Sequence, residues 1–266
     1  MIADAHCHLW DLSNHLPDAE RERRNRGVVC AASAWNLRDF SYQADLRQKA
    51  SADNAPRIYL CFGAHPQLPA SPEQAQVSAS LALLETLASC GRLDGIGETG
   101  FDLFDQTFRD TEAVQDRLFA AHLDLALSRG LPIVLHIRKA MHKVFACASE
   151  LKKARSVIFH SYPGTLAEGE ALLRRGINAY FSFGNPLALG RKESLRSCAG
   201  LPRDRLLAET DAPYQRLPGT VFSHWDDLPE IFQIMARIRQ EAGHPLEDLQ
   251  RITEENFYRA YNSDAV

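Results

Sequence analysis

The chain is predicted to fold as an α/β protein, a (β/α)8 TIM barrel. Three observations predict it. Eight short apolar runs alternate with amphipathic stretches, the rhythm of a barrel of about 250 residues. The clearest runs show no polar alternation, as expected of parallel strands buried on both faces. Five of them reach a histidine or a carboxylate at the end where barrel strands converge on one mouth. A doubly wound sheet is the rival fold. It would carry a Gly-rich phosphate turn after an early strand, whereas the first run here leads into Leu9-Trp10-Asp11. No low-complexity linker divides the chain, so a single domain over residues 1–266 is expected.

The elements follow in order. The first strand, 3–8, closes on His6-Cys7-His8, and the second, 27–32, carries Val28-Val29-Cys30. The third, 58–64, is the run Ile58-Tyr59-Leu60-Cys61-Phe62. A helix over 72–89 places Val77, Leu81, Leu84 and Leu87 at helical spacing. The fourth strand, 93–98, ends in Glu98. A helix over 111–129 repeats Val114, Leu118, Ala121 and Leu125 and stops at Gly130-Leu131-Pro132. Strands 132–137 and 156–160 precede a helix over 166–175, and strand 178–183 precedes one over 191–198. The last strand is 205–210. Helices over 227–242 and 245–261 carry the stripes Ile231, Ile234, Met235, Ile238 and Leu246, Leu249, Ile252, Phe257.

Composition narrows the function. Hydrophobic residues make up 45% and charged residues 24%, which excludes a disordered, collagenous or coiled-coil chain. No apolar run is long enough to span a membrane. The formal charge of −4 excludes bulk attraction to nucleic acid. It favours short or single-stranded substrate ends over long duplex. The segment 20–26 carries four arginines but leads into the second strand, so it belongs at the barrel face away from the mouth and reads as a solvated surface. The six cysteines form no C-x-x-C pair, and several sit in apolar runs. With no export signal at the start, they are expected to be reduced and the location cytoplasmic.

Ten histidines are present, and five (His15, His122, His142, His224 and His244) fall in predicted loops or helices with no ligand role. The others sit near strand ends. Residues i and i+2 of a strand point to one side, so His6 and His8 can approach one metal. Glu98 ends an apolar strand between Gly97 and Gly100, where a buried lone carboxylate needs a partner. His136 follows Ile133-Val134-Leu135, His160 follows Val157-Ile158-Phe159, and Asp211 closes the last strand. Together they amount to a two-metal ligand set. One cation takes His6, His8 and Asp211, the other His136 and His160, and Glu98 bridges them. Such cations lie about 3.5–4 Å apart. Imidazole ligands suit zinc, while phosphoryl chemistry often runs on magnesium or manganese.

These residues resemble the TatD family of metal-dependent deoxyribonucleases, within the amidohydrolase-like barrels. The resemblance runs from Asp4-Ala5-His6-Cys7-His8 to Asn256-Phe257. It passes through Gly63-Ala64-His65-Pro66, Gly97-Glu98-Thr99-Gly100-Phe101-Asp102, Leu135-His136-Ile137-Arg138 and Glu209-Thr210-Asp211-Ala212-Pro213-Tyr214. It implies the same six ligands and two divalent metal ions. It also implies that His65 and Arg138 are substrate-binding residues and no metal ligands. On this reading Asp211 takes a proton from the attacking water and Glu98 holds the cations together. Three departures bear on the substrate. Ile137 and Lys139 stand for serine and an acid, Ser161-Tyr162-Pro163 for Cys-Phe-Ser, and Gln215 for leucine. Trp10, Tyr162 and Tyr214 are expected near the mouth, packing its rim or stacking a base.

The expected activity is therefore hydrolysis of phosphodiesters in DNA ends or single strands. No membrane or obligate protein partner is expected. A small-molecule amide, ester or lactone hydrolase on the same scaffold is the alternative. A metal-binding barrel serving only as a partner protein is disfavoured, because Glu98 and Asp211 are both present.

Overall fold

A computed structural model describes residues 1–261 of the chain, so the expected domain end at 266 lies outside the described residues. Eight parallel strands pair in chain order, each with the next. They are β1 (Ile2–Cys7), β2 (Val28–Ala34), β3 (Ile58–Phe62), β4 (Gly95–Asp102), β5 (Ile133–Arg138), β6 (Val157–Phe159), β7 (Ala179–Phe183) and β8 (Leu206–Ala208). The ring closes just past β8. Cys7 bridges Ala212, Asp211 N donates to His6 O at 3.0 Å, and His8 N donates to Ala212 O at 2.8 Å. The buried Asp4 reinforces the closure by accepting from Thr210 N at 3.0 Å and Thr210 Oγ1 at 2.7 Å.

Helices wrap the ring. In order they are α1 (Leu9–His15), α2 (Ala19–Asn25), α3 (Leu37–Ala52), α4 (Val77–Ser89), α5 (Gln106–Arg109), α6 (Glu112–Arg129), α7 (Met141–Ala146), α8 (Ala148–Leu151), α9 (Leu166–Arg174), α10 (Lys192–Gly200), α11 (Leu228–Glu241) and α12 (Leu249–Tyr261). One core cluster, including Ala5, Ala31, Tyr59, Val134, Ile158 and Leu207, packs together with Phe257 and Tyr261 of α12. A larger one lies between strands and helices. Among the described residues no helix is long and apolar enough to cross a membrane. All six cysteines are free, and Cys7, Cys30, Cys61 and Cys198 are buried.

Several elements differ from the sequence expectation. β4 does not stop at Glu98 but pairs with β5 as far as Asp102↔Arg138, so Glu98 lies inside the strand. The helix expected over 72–89 begins with a 3-10 turn (Gln74–Gln76), and the last helix starts at Leu249 rather than 245. α3 was not expected. Its buried face mixes Phe40, Leu46 and Ala50 with Asp39 and Gln43, which breaks the apolar stripe. Segment 20–26 does lie near the start of β2, but Arg23 is fully buried. It donates to Val28 O at 2.5 Å and Pro56 O at 2.8 Å. A reading of that whole segment as solvated surface fails at this residue.

His122 of α6 is a structural histidine next to the mouth. Its Nδ1 donates to Leu118 O at 2.6 Å, and its Nε2 accepts from Ala64 N at 2.8 Å. This fixes the neutral tautomer, and burial pushes its pKa down to about 4. The unfolded chain binds a proton there near pH 6.5, so stability from this group is complete above that pH. It is lost as pH falls toward 4, by about 3 kcal/mol in all. His122→Gln is expected to flatten that part of the pH dependence. Urea midpoints of parent and variant at pH 7 and pH 4.5 check it, and parallel pH slopes would refute the assignment.

Candidate metal centre

The C-terminal ends of the strands bring six predicted residues into one cluster. His6 is the penultimate residue of β1, and His8 follows that strand. His136 lies in β5, His160 just after β6 and Asp211 just after β8. Glu98 reaches the centre because β4 runs tight against β5. A Cβ at Gly97 would lie 2.4 Å from Val134 O, and one at Gly100 2.2 Å from His136 O. Only glycine fits at these two positions, and both have positive φ.

The two oxygens of Glu98 face different partners. Oε2 lies 3.2 Å from His6 Nε2 and 3.6 Å from His8 Nε2. Oε1 lies 2.8 Å from His136 Nδ1, 3.1 Å from His65 Nε2 and 3.5 Å from His160 Nε2. Asp211 Oδ1 completes the first side, 3.6 Å from His6 Nε2 and 3.5 Å from His8 Nε2. Three groups of donor atoms lie close enough to share an ion: His6–His8–Asp211, His6–Glu98–His160 and His65–Glu98–His136. The grouping differs from the expected partition, since His160 also sits with His6 and His65 with His136. The donor chemistry fits divalent cations. His6 Nε2 and His8 Nε2 face each other at 3.1 Å, and such converging lone pairs need a proton or a cation between them.

Neighbouring side chains hold the rings. Ser33 Oγ lies 3.4 Å from His6 Nδ1. Glu209 Oε1 lies 2.9 Å from His160 Nδ1, and Asp102 Oδ2 lies 3.4 Å from His136 Nε2. Carboxylates so placed fix ring orientation and raise basicity. His65 Nδ1 accepts from Gln67 N at 3.2 Å, so in the neutral ring Nε2 carries the hydrogen and donates to Glu98 Oε1.

Electrostatics follows from this packing. Burial works to raise Glu98. The imidazoles of His65, His160 and His6, with the His136 hydrogen bond, outweigh it and hold the carboxyl well below its ordinary value. Asp211 is likewise lowered: burial opposes its charge, and His160, His8 and His6 overcome that. Burial disfavours a charge on His160, but Glu209, Asp211 and Glu98 push it up to about 10. Burial wins at His65 and His6, whose pKa values are lowered.

The cluster opens into a cavity of about 390 Å³ whose wall includes Trp35, Leu68, Asp11, Glu73 and Tyr214, with no lysine or arginine in its lining among the described residues. His65 lines this cavity. Arg138 lines a separate pocket with Lys139. It lies over the Phe104 ring at 3.6 Å, with Nη1 3.8 Å from Asp102 Oδ2. Of the three aromatics expected at the mouth, Tyr214 is half exposed on the cavity wall. Trp10 packs under Arg38 and against Tyr42. Tyr162 is buried against Phe159 and Phe181, so it cannot stack a base. Sequence reasoning missed Trp35, Asp102 and Glu209. Trp35 had one available signal, an extension of β2 by two residues beyond its predicted end.

Comparison with known proteins identifies the family. A family model described as TatD related DNase matches residues 3–262. The chain is 31% identical to the 3'-5' ssDNA/RNA exonuclease TatD of Escherichia fergusonii over 257 residues, covering 93% of this chain and 96% of that one. It is 27% identical to the uncharacterized metal-dependent hydrolase YcfH of Escherichia coli K12 over 276 residues, covering 99% and 97%. The crystal structure of YJJV, a TatD homolog from Escherichia coli K12, superposes with a TM-score of 0.82 at 23% identity, covering 99% and 98%. With the family model spanning nearly all of the barrel, the chain belongs to the TatD-related DNase family and is a metal-dependent hydrolase of the TatD type.

Proposed function

We propose that the protein hydrolyses phosphodiesters at DNA ends or in single strands, using two divalent cations. His6, His8, Glu98, His136, His160 and Asp211 would hold them. The observation that carries this reading is the division of Glu98, one oxygen toward His6 and His8 and the other toward His136 and His160. When bound, the cations polarise the phosphoryl group and acidify water. Asp211 accepts the proton of the attacking water, and its lowered pKa keeps it in the ionised form that can accept. Glu98 keeps both halves in register. His65 stands on the cavity wall, where its N–H can pass from Glu98 to a phosphate oxygen. Arg138, 46% exposed and lining a separate pocket with Lys139, meets the charge of the rest of the strand. The relative named as a 3'-5' ssDNA/RNA exonuclease supports the substrate class. Zinc, magnesium and manganese all suit a mixed imidazole and carboxylate set. The buried free thiols fit a reducing compartment, and the cytoplasm is the proposed location.

One observation favours the second reading, a small amide, ester or lactone as substrate. The cavity lining carries Asp11 and Glu73 and no cationic side chain beyond its histidines. A panel separates the two. Protein stripped with a chelator and reloaded with each cation is assayed on single-stranded DNA, duplex DNA, a simple phosphodiester, and amide, ester and lactone substrates. The expected result is metal-dependent cleavage of single-stranded DNA and the phosphodiester. Turnover confined to the amides, esters or lactones would overturn the nuclease reading.

A further inference from the structure

A chain of hydrogen bonds beside Asp211 is unused in the reaction described above. Gln215 Nε2 donates to Asp211 Oδ2 at 2.8 Å. Gln215 Oε1 accepts from Ser161 Oγ at 3.1 Å. Ser161 N donates at 2.8 Å to Glu209 Oε1, the oxygen that also faces His160 Nδ1. An ionised carboxylate only accepts, so the amide must turn its NH2 to Asp211 and its carbonyl to Ser161. Both ends of the Gln215 side chain are therefore fixed by chemistry.

The backbone supplies an independent observation. Among the described residues five other than glycine have positive φ, and three of them are Ser161 (41°), Asp211 (54°) and Gln215 (51°). Such conformations persist where the surroundings over-determine them, and they gather at functional sites. Here the surroundings are visible. Asn185 Nδ2 donates to Gln215 O at 3.0 Å and to Asp227 Oδ2 at 2.8 Å, holding that loop from behind. Ser161 and Gln215 are also positions where the chain departs from the cysteine and leucine of the TatD pattern. A leucine has no amide to offer Asp211.

We propose that Gln215, locked by Ser161, is a positioning residue for Asp211. The terminal torsion of an aspartate is broad and roughly two-fold, so a free carboxylate swaps and tilts its oxygens. The amide ties Oδ2 and keeps Oδ1 toward His6 and His8. Through Ser161 and Glu209 the same strap couples Asp211 to the His160 side of the centre. Such pre-organisation acts on the reacting geometry more than on substrate binding, so it belongs in kcat and not in KM. The inference rests on Asp211 being the base.

Gln215→Asn is the informative variant. Asparagine tolerates a left-handed backbone, so the loop can persist, but it is one methylene too short to join Ser161 to Asp211. Gln215→Asn, Ser161→Ala, their double variant and Asp211→Asn are compared on bis(4-nitrophenyl) phosphate, with the cation that best supports turnover. Binding of that cation to the stripped proteins is measured by calorimetry. Gln215→Asn is expected to lose roughly 10-fold to 100-fold in kcat, the range of a hydrogen bond to a charged group, with KM and cation stoichiometry at parent values. Ser161→Ala should lose less, and nothing further when Gln215 is already asparagine. Parent-like kcat in Gln215→Asn, a loss confined to KM, additive effects of the two changes, or lost cation stoichiometry would each overturn the proposal. If Asp211→Asn is inactive while Gln215→Asn is normal, the strap alone fails. If Asp211→Asn turns over at the parent rate, the base reading fails and the strap falls with it.

Discussion

Replacing Asp211 by asparagine is expected to lower phosphodiester turnover by about 10²–10⁴-fold, the usual effect of removing a general base. The change keeps the size of the side chain and removes one anion from a cluster of imidazoles. The fold should survive it for two reasons. Ring closure at this point uses the backbone, through Asp211 N to His6 O and His8 N to Ala212 O. Asp211 also sits at φ 54°, a conformation asparagine accepts more readily than most residues, so alanine would be the worse probe. Initial rates on a simple phosphodiester, with circular dichroism to check folding, decide the matter. A folded asparagine variant that works at the parent rate would remove Asp211 from the role of base.

The barrel and the cluster were legible because buried parallel strands leave little doubt in a sequence. An apolar run such as Val157-Ile158-Phe159 that meets a histidine has no bland explanation once four others meet a histidine or a carboxylate at the same end. What the sequence hid is equally physical. α3 escaped because Gln43 on its buried face donates to Cys61 O, a polar contact that periodicity reads as exposure. β4 was cut short because Gly97, Thr99 and Gly100 look like a turn, whereas the glycines there admit the backbone of β5. Glu209 and Asp102 look like surface acids, since nothing local reveals that distant strands bring His160 and His136 against them. Arg23 failed in the opposite direction. Its neighbours are all charged, yet its guanidinium is buried on carbonyl groups from two segments.

Glu98→Gln is expected to have the largest effect on the metal centre. Glu98 is the one carboxylate between five imidazoles, with one oxygen or the other within 3.6 Å of His6, His8, His65, His136 and His160. Glutamine keeps the shape but turns one oxygen into an amide nitrogen, which cannot bind a cation and would face imidazole nitrogens on its side. The loss of charge also removes the anion that offsets the surrounding rings, so the apo site becomes more positive wherever His160 stays protonated. Both consequences oppose cation binding. Turnover should therefore fall by more than the roughly 10–100-fold typical of residues that only orient a ligand. Elemental analysis of dialysed protein gives the direct readout. The variant should hold at least one cation fewer per chain than the parent, whereas Ser33→Ala, which loses a 3.4 Å contact with the His6 ring and leaves every donor atom in place, should keep more cation than Glu98→Gln. A Glu98→Gln protein that retains every cation of the parent would show that Glu98 does not bridge the two halves of the site.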